Sequence, residues 1–257
     1  ADGIGLFRTE LQFMIASTMP KLEEQESFYR SVLNQMPGKP VTFRTLDIGG
    51  DKALSYFPIK EENPFLGWRG IRVTLDHPEI FLVQTRAMLK ASEGLNNLRI
   101  LLPMISGTQE MEEALHLIHR AWGEVRDEGV DIPMPPVGLM IEIPAAVYQV
   151  RELARQVDFL SVGSNDLTQL TLGLDRDSGM ELLAKDFDER DPAVKAMLSL
   201  AIKACRAQGK YIGICGQGPS DHPDLAKWLM EQGIESVSLN PDSVLDTWFF
   251  LAEAQPA

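Results

Sequence analysis

The sequence predicts an α/β protein with the (β/α)8, or TIM, barrel fold, and three observations carry this prediction. Short runs rich in Val, Ile, Leu and Phe alternate along the chain with longer stretches in which apolar residues recur at helical spacing. Several of the short runs have consecutive apolar residues rather than strict alternation, which is typical of strands buried on both faces of a parallel sheet. The chain has 257 residues, the usual length of eight strand and helix units closed into a barrel. A doubly wound open sheet is the alternative.

Eight short apolar runs are the predicted strands. They are residues 3–8, 41–47, 68–73, 98–103, 137–142, 158–163, 210–215 and 235–239. Good helix formers at helical spacing separate most of these runs and predict helices. The helices are residues 78–91, 109–127, 145–156, 191–208 and 222–232. Two further stretches, 47–66 and 171–190, are predicted to be long loops, which are usually functional.

Composition excludes several classes of protein. The chain is 44% hydrophobic and 24% charged, enough to bury a large core in one or two domains. Its 24 Lys and Arg residues stand against 37 Asp and Glu residues, and a formal net charge of −13 argues against a nucleic-acid partner. No run of about 18 apolar residues occurs, so no membrane partner is expected.

The start of the chain and its cysteines bear on cellular location. The first ten residues, ADGIGLFRTE, lack the charged and apolar regions of a signal peptide. Because they open on a strand-like run without a leader, we expect the chain to be a fragment of a longer protein. The two cysteines, Cys205 and Cys215, are ten residues apart and fit neither a disulfide framework nor a zinc site. A reducing, cytoplasmic location is therefore predicted.

Charged and nucleophilic residues stand at the predicted strand ends, where barrel enzymes place their active sites. They are Arg8, Arg44 and Asp47, Arg69 and Arg72 within the third predicted strand, Glu142, Ser164, Asn165 and Asp166, and Cys215. A buried core would not select this set of side chains, so we expect them to converge on one mouth of the barrel.

Each group has a functional and a structural interpretation. The carboxylates Glu142 and Asp166 suit Mg²⁺, with water and substrate oxygens completing the shell, although an acidic residue before a helix is also an ordinary cap. The arginines suit an anionic substrate, although they could form salt bridges at the rim. Cys205 falls within a predicted helix and is expected only to pack, whereas Cys215 stands at a strand end.

Seven segments resemble the C-terminal barrel of the phosphoenolpyruvate-utilising enzymes, and they occur in the family's order. They are GIGLFRTE (3–10), RTLDIGGDK (44–52), EENPFLGWRGIR (61–72), GLMIEIPAA (138–146), SVGSNDLTQ (161–169), LDRD (174–177) and CGQGPSD (215–221). The resemblance covers essentially the whole chain. It implies that residues 1–257 form one (β/α)8 domain that binds phosphoenolpyruvate (PEP) and pyruvate, at the C-terminus of a longer multidomain enzyme.

The family comprises PEP synthase, pyruvate phosphate dikinase and Enzyme I of the sugar phosphotransferase system, all of which the sequence resembles, and its motifs point most clearly to two of these branches. From residue 161 onward the sequence is most similar to PEP synthase, and the triplet CGQ at 215–217 favours that branch. The segment RTLDIGGDKALSYFPI (44–59) is more similar to Enzyme I of the sugar phosphotransferase system, especially its nitrogen-regulatory type. PEP synthase is therefore the favoured interpretation and Enzyme I the alternative. A non-catalytic PEP sensor and a pyruvate-dependent lyase are remoter alternatives.

The resemblance also implies roles for individual residues. Arg8, Arg44, Arg69 and Arg176 match the arginines around the phosphoryl group, Asn165 matches a substrate anchor, Glu142 and Asp166 match the Mg²⁺ ligands, and Cys215 matches the residue that transfers a proton at C3 of the substrate. Arg8, Arg44 and Cys215 are the expected catalytic residues. The family's phosphohistidine domain has no counterpart in this sequence, so the chain alone is not expected to complete phosphotransfer. A homodimer is expected by resemblance.

Overall fold

The computed structural model describes residues 1–50 and 52–253. The chain divides into two compact units. The first is Asp2–Gly138, and the second is Leu139–Ala257 together with Ala1. The predicted domain, 1–257, therefore includes residue 51 and residues 254–257, which lie outside the described part. None of the helices in residues 1–50 and 52–253 is long and apolar enough to cross a membrane.

The first unit contains three complete strands, their helices and the start of a fourth strand. In chain order its elements are β1 (Ile4–Arg8), α1 (Glu10–Ile15), α2 (Leu22–Asn34), β2 (Val41–Arg44), a 3-10 turn (Pro64–Leu66), α3 (Ile71–Asp76), α4 (Pro78–Ala91), β3 (Leu98–Leu102), α5 (Thr108–Asp127) and β4 (Val137–Ile141). Strands β1, β2 and β3 pair in parallel, and the register sets Arg8 beside Arg44. The carboxyl ends of β1 and β2 therefore lie side by side.

A satellite core anchors the segment that follows β2. The buried side chains of Phe13, Leu46, Ile48, Leu54 and Val73 pack together. In its described residues, the stretch predicted as a loop, 47–66, contains isolated bridges, turns and one 3-10 turn. The loop is thus irregular in backbone but held by an apolar cluster of its own.

The prediction of a strand at 68–73 is wrong. Gly70 has a φ of +56°, and the short helix α3 begins directly after it. Ile71, Val73 and Thr74 are buried in that helix, so packing outweighs the strand preference of their β-branched side chains. Arg69 therefore precedes a helix and Arg72 lies in its first turn, and the strand count in the described residues is seven.

The second unit continues the alternation of strands and helices. Its elements after β4 are α6 (Pro144–Tyr148), α7 (Val150–Gln156), β5 (Phe159–Val162), α8 (Ser164–Leu172), α9 (Glu181–Asp186), α10 (Pro192–Ala207), β6 (Tyr211–Ile214), α11 (Gly218–Asp221), α12 (Pro223–Gln232), β7 (Ser236–Val237) and α13 (Val244–Glu253). The helix predicted at 145–156 is two helices that meet at Gln149, and the loop predicted at 171–190 contains α9.

The strand topology confirms the predicted fold class. β5 pairs in parallel with β6, and β6 with β7. The strands follow one another in sheet order from β1 to β7, so each connection is a crossover between neighbours. Consecutive parallel strands linked by helices are the topology of the TIM-barrel class, and they bring the carboxyl ends of neighbouring strands together.

Candidate active site

A buried charge cluster follows the ends of β1 and β2 in the first unit. It consists of Glu10, Arg44, Asp47, Lys52 and Arg69, which we call the arginine cluster. Arg44 is 4% exposed and donates to Glu10, and its Nη2 lies 3.1 Å from Oδ2 of Asp47. Arg69, 1% exposed, approaches Oδ1 of Asp47 at 3.5 Å. Nζ of Lys52 lies 2.6 Å from Asp47 and 3.2 Å from Glu10.

The electrostatics of the arginine cluster favour an anion. Burial opposes ionisation of Asp47, but Arg44, Lys52 and Arg69 outweigh it and hold the pKa of this carboxyl well below its usual range. Asp47 is therefore ionised at neutral pH, and the cluster as a whole has three basic side chains and two carboxyl groups. A buried positive excess in a chain of net charge −13 attracts a negatively charged ligand.

The turn after β1 positions Glu10 and leaves Arg8 at the surface. The Thr9 hydroxyl donates to the Arg44 carbonyl at 2.7 Å and accepts from Nε2 of Gln84 at 3.0 Å. These bonds fix the first residues of α1 against the end of β2. Arg8 is exposed at the last position of β1, adjacent to Arg44 in register.

The two predicted metal ligands lie in the second unit, and both are buried. Glu142, directly after β4, is 1% exposed, and Asp166, in the first turn of α8, is 7% exposed. A Cβ on Gly163, at the end of β5, would lie 2.8 Å from Oε2 of Glu142. The glycine thus leaves room for the Glu142 carboxylate. Asp166 is the acidic residue in the first turn of α8, where a carboxylate also stabilises the start of a helix.

These residues fit Mg²⁺ as far as their chemistry goes. Mg²⁺ commonly takes one or two protein carboxylates, with waters and substrate oxygens as its other ligands. In residues 1–50 and 52–253 no group of three or more His, Cys, Asp or Glu side chains could hold a metal by itself. Two buried carboxylates match an ion that shares its shell with a substrate. Magnesium therefore stays a prediction for Glu142 and Asp166.

Arg176 and Asn165 approach the same helix start. Nη1 of Arg176 lies 3.8 Å from Oδ2 of Asp166, and its backbone N–H donates to Oε1 of Gln169 at 3.1 Å. Asn165 accepts a hydrogen bond from the Gln217 N–H at 2.9 Å. The second unit thus brings Arg176 to Asp166 and ties Asn165 to the segment that contains Cys215.

The Cys215 thiol is held against β5. Its backbone N–H donates to the Val162 carbonyl at 2.9 Å, and Sγ lies 3.4 Å from the same oxygen. The Ser161 hydroxyl donates to Sγ at 3.2 Å. Neither Cys205 nor Cys215 forms a disulfide. Burial raises the pKa of Cys205 to about 12, so that thiol is inert, as its predicted packing role requires.

Several residues of the candidate site were not predicted from the sequence. Glu10 and Lys52 fall within quoted motifs, yet only the fold shows that they flank Arg44. Ser161 reaches Cys215 across 54 positions of sequence. Glu189 is a buried carboxyl from the loop between α9 and α10, and burial raises its pKa to about 7. No spacing or motif distinguishes Glu189 from its exposed acidic neighbours.

Comparison with known proteins gives a match over almost the whole chain. The model of a family described as PEP-utilising enzyme, PEP-binding domain, matches residues 1–255. The chain is 46% identical over 251 residues to an Escherichia coli (strain K12) protein named phosphoenolpyruvate-dependent phosphotransferase system, covering 97% of this chain and 33% of that protein. It is 52% identical over 200 residues to phosphoenolpyruvate synthase of Pseudomonas aeruginosa, covering 76% and 24%.

A solved structure supports the fold alone. Citrate lyase from Burkholderia xenovorans LB400 matches with a TM-score of 0.55 at 19% identity, over 90% of this chain and 64% of that chain. The two curated relatives are much longer, and the chain spans 33% and 24% of their lengths. With residues 1–255 matched and 46% identity over nearly its whole length, the chain belongs to the PEP-utilising enzymes and corresponds to their PEP-binding domain.

Proposed function

We propose that this chain binds PEP and pyruvate with Mg²⁺, and that in the whole enzyme it exchanges a phosphoryl group between them and a histidine on a separate domain. The observation that carries the proposal is the arginine cluster, whose cations exceed its carboxylates although the chain is strongly acidic. PEP carries a phosphate and a carboxylate, and guanidinium groups bind both with paired hydrogen bonds.

Each predicted residue has a role in this proposal. Arg8, Arg44, Arg69 and Arg176 offset negative charge on the phosphoryl group, and Asn165 anchors the substrate. Mg²⁺ held by Glu142 and Asp166 supplies charge neutralisation at the substrate oxygens. Arg8 is suited to a phosphoryl group in transit because its side chain is exposed, whereas Arg44 and Arg69 are fixed by Asp47.

Cys215 is proposed to move the proton at C3. When the phosphoryl group is transferred from PEP, the bond between phosphorus and the bridging oxygen breaks and a P–N bond to the histidine forms. The electron pair of the broken P–O bond stays on the oxygen of the pyruvate enolate. The Cys215 S–H gives its proton to C3, which leaves a thiolate and pyruvate. In the opposite direction the thiolate removes a methyl proton and the enolate oxygen attacks phosphorus. A thiol with an ordinary pKa of about 8.5 can serve as both acid and base near neutrality.

PEP synthase is the favoured whole enzyme, with Enzyme I as the second candidate. The synthase of P. aeruginosa has the higher identity, 52%, but over 76% of this chain, whereas the E. coli phosphotransferase relative is 46% identical over 97%. The motifs of the first half favour Enzyme I, and those from residue 161 onward favour the synthase. Formation of PEP from pyruvate and ATP by the full-length enzyme would establish a synthase, and phosphorylation of a carrier protein would establish Enzyme I.

Two further properties belong to this proposal. A cytoplasmic location draws support from the low cysteine content, since the sequence has two cysteines and no disulfide framework of the kind that secreted proteins use. A homodimer draws support from the exposed apolar residues Leu245, Trp248 and Phe249 of α13. The lyase alternative gains nothing from the citrate lyase match, because 19% identity supports the fold alone.

The proposal is tested by calorimetric titration of the chain with PEP, in MgCl₂ and in EDTA. We expect binding that needs the metal and that falls at least about tenfold in Glu142→Gln, which removes one proposed ligand. Glu152→Gln is the matched control, since Glu152 is an exposed residue of α7. PEP binding that is equally strong in EDTA and in Glu142→Gln would refute the metal site, and no binding by the folded chain would refute the proposed function.

A further inference from the structure

Glu189 is a buried carboxyl to which the proposed reaction gives no role. It is 6% exposed, and the Ser164 hydroxyl donates to its Oε1 at 3.0 Å. Its other oxygen lies against Gly218, where a Cβ would come within 1.7 Å of Oε2. The carboxyl therefore sits between the start of α8 and residues 215–218, which we call the thiol loop because they begin with Cys215.

Ser164 completes the contact on the other side of Gln217. A Cβ on Gly216 would lie 1.5 Å from the Ser164 hydroxyl oxygen, so this hydroxyl occupies the place of a side chain at Gly216. The same hydroxyl is the one that donates to Glu189. Ser164 and Glu189 thus form one connected pair that contacts both glycines of the thiol loop.

The middle of the thiol loop is held as well. The Gln217 N–H donates to Asn165, and the Gln217 side chain donates to Asp221 at 2.9 Å and accepts from Asn240 at 3.1 Å. Asn165 thus bonds Gln217, while Ser164 and Glu189 pack closely against the glycines on either side of it. Ser164 and Asn165 open α8, immediately before Asp166.

We propose that Glu189 is a positioning residue, whose carboxyl holds the thiol loop against the start of α8 and so fixes Cys215 relative to Asp166. This inference rests on the proposed function, in which Cys215 transfers the proton and Asp166 binds the metal. Proton transfer to carbon needs a donor held close to its target, and small displacements of such a group slow the reaction strongly. Residues that hold a reactive group through one intermediate contact have this role in many active sites.

The side-chain type fits the task. One carboxyl oxygen accepts from the Ser164 hydroxyl, and the other is buried against Gly218 without a hydrogen bond of good geometry. Burial raises the pKa of Glu189 to about 7, against the lowering effects of Ser164 and of the Gly218 backbone. Glutamine would keep an oxygen for Ser164 but present an NH₂ group to Gly218, and alanine would remove both contacts.

The test is the rate at which iodoacetamide alkylates Cys215 in the 257-residue chain. Peptide mass spectrometry identifies the modified thiol, and the rate is taken at a pH where the thiol is fully ionised. Looser anchoring exposes the thiol, so we expect the rate to rise about tenfold in Glu189→Ala and about threefold in Glu189→Gln, the range typical of removing such supporting contacts. The graded order separates positioning from a general loss of stability, which circular dichroism monitors.

Asp188→Asn is the matched control, because its carboxyl neighbours Glu189 in sequence but bonds Arg190. Equal rates in the parent, Glu189→Ala and Asp188→Asn would overturn the inference. If Glu189→Ala fails to fold, Glu189→Gln decides, and a rate equal to that of the control overturns it.

PEP calorimetry in MgCl₂ is run on the same variants, with the dissociation constant expected to stay within about twofold because Glu189 does not contact the substrate in this proposal. Loss of PEP binding in Glu189→Ala, with the fold intact, would overturn a role confined to the thiol. Absence of binding in the parent would end the proposed function, and the alkylation rates would still decide whether Glu189 holds the loop.

Discussion

Replacing Asp47 with asparagine should destabilise the chain strongly, because this carboxylate is the common partner of three cations. Asp47 is 1% exposed, with Arg44 at 3.1 Å, Lys52 at 2.6 Å and Arg69 at 3.5 Å. Asparagine keeps the shape but removes the charge, so the arginine cluster would hold three cations against one carboxylate. Breaking a buried ion pair by removing one partner costs about 3–5 kcal/mol, and we expect a loss in this range at pH 7.

The loss should depend on pH in a defined direction. The folded pKa of Asp47 lies below its unfolded value of 3.8. Its ionised form therefore stabilises the fold fully above about pH 5, and this contribution shrinks as the pH falls below about 4. The free energies of unfolding of parent and variant should differ by a constant amount between pH 5 and 8 and converge in acid.

The assay is urea unfolding followed by circular dichroism at a series of pH values. Asp188→Asn is the control, since Asp188 pairs with Arg190 at the surface and should lose less than about 1 kcal/mol. A loss below about 1 kcal/mol for Asp47→Asn, or one that grows as the pH falls, would refute the view that Asp47 is ionised and supports the three cations.

Three other substitutions have expected outcomes. Gly163→Ala places a Cβ against Glu142 and should weaken Mg²⁺-dependent PEP binding about tenfold by calorimetry, whereas Gly179→Ala, with open space around it, should not. Cys215→Ala should abolish turnover of the full-length enzyme yet leave PEP binding within about threefold; normal turnover would disprove the proton-transfer role. Because burial raises the folded pKa of Glu189 from 4.5 to about 7, the free energy of unfolding of the parent should fall by about 3 kcal/mol between about pH 4.5 and 7. Glu189→Gln, which cannot ionise, should remove this fall. The same pH dependence of urea unfolding in parent and variant would contradict the raised pKa.

Most of the fold could be predicted because buried parallel strands appear in the sequence as short runs of apolar residues. The runs at 98–103, 137–142 and 210–215 are strands within one residue at either end. The run at 68–73 has three apolar residues among two arginines and a glycine, and Gly70 at positive φ turns the chain before α3 begins. A short run of this kind does not distinguish a strand from a buried helix, and the tertiary environment decides.

The candidate site was predictable where a residue ends a strand, and unpredictable where it depends on packing. Arg44, Glu142 and Cys215 follow directly from the strand ends. Arg69 lies before α3 and not in the predicted strand, yet it reaches Asp47 because α3 and the residues before it pack against the segment that follows β2. The burial of Glu189 cannot be predicted from the sequence, because this carboxyl comes from a polar loop and is buried by Ser164 and Gly218, which are distant in sequence.

The burial of the arginine cluster affects how selectively this site binds anions. Arg44 and Arg69 have already lost their water and are already oriented by Glu10 and Asp47. The cost of dehydrating these guanidinium groups is met once, when the chain folds, and is not repeated at each binding event. A bound anion competes with the carboxylates of Glu10 and Asp47 for the guanidinium groups. A weakly charged molecule competes poorly, because its interaction with the guanidinium groups is weaker than that of a carboxylate. Discrimination by ligand charge is thus built into the folded protein before any substrate arrives.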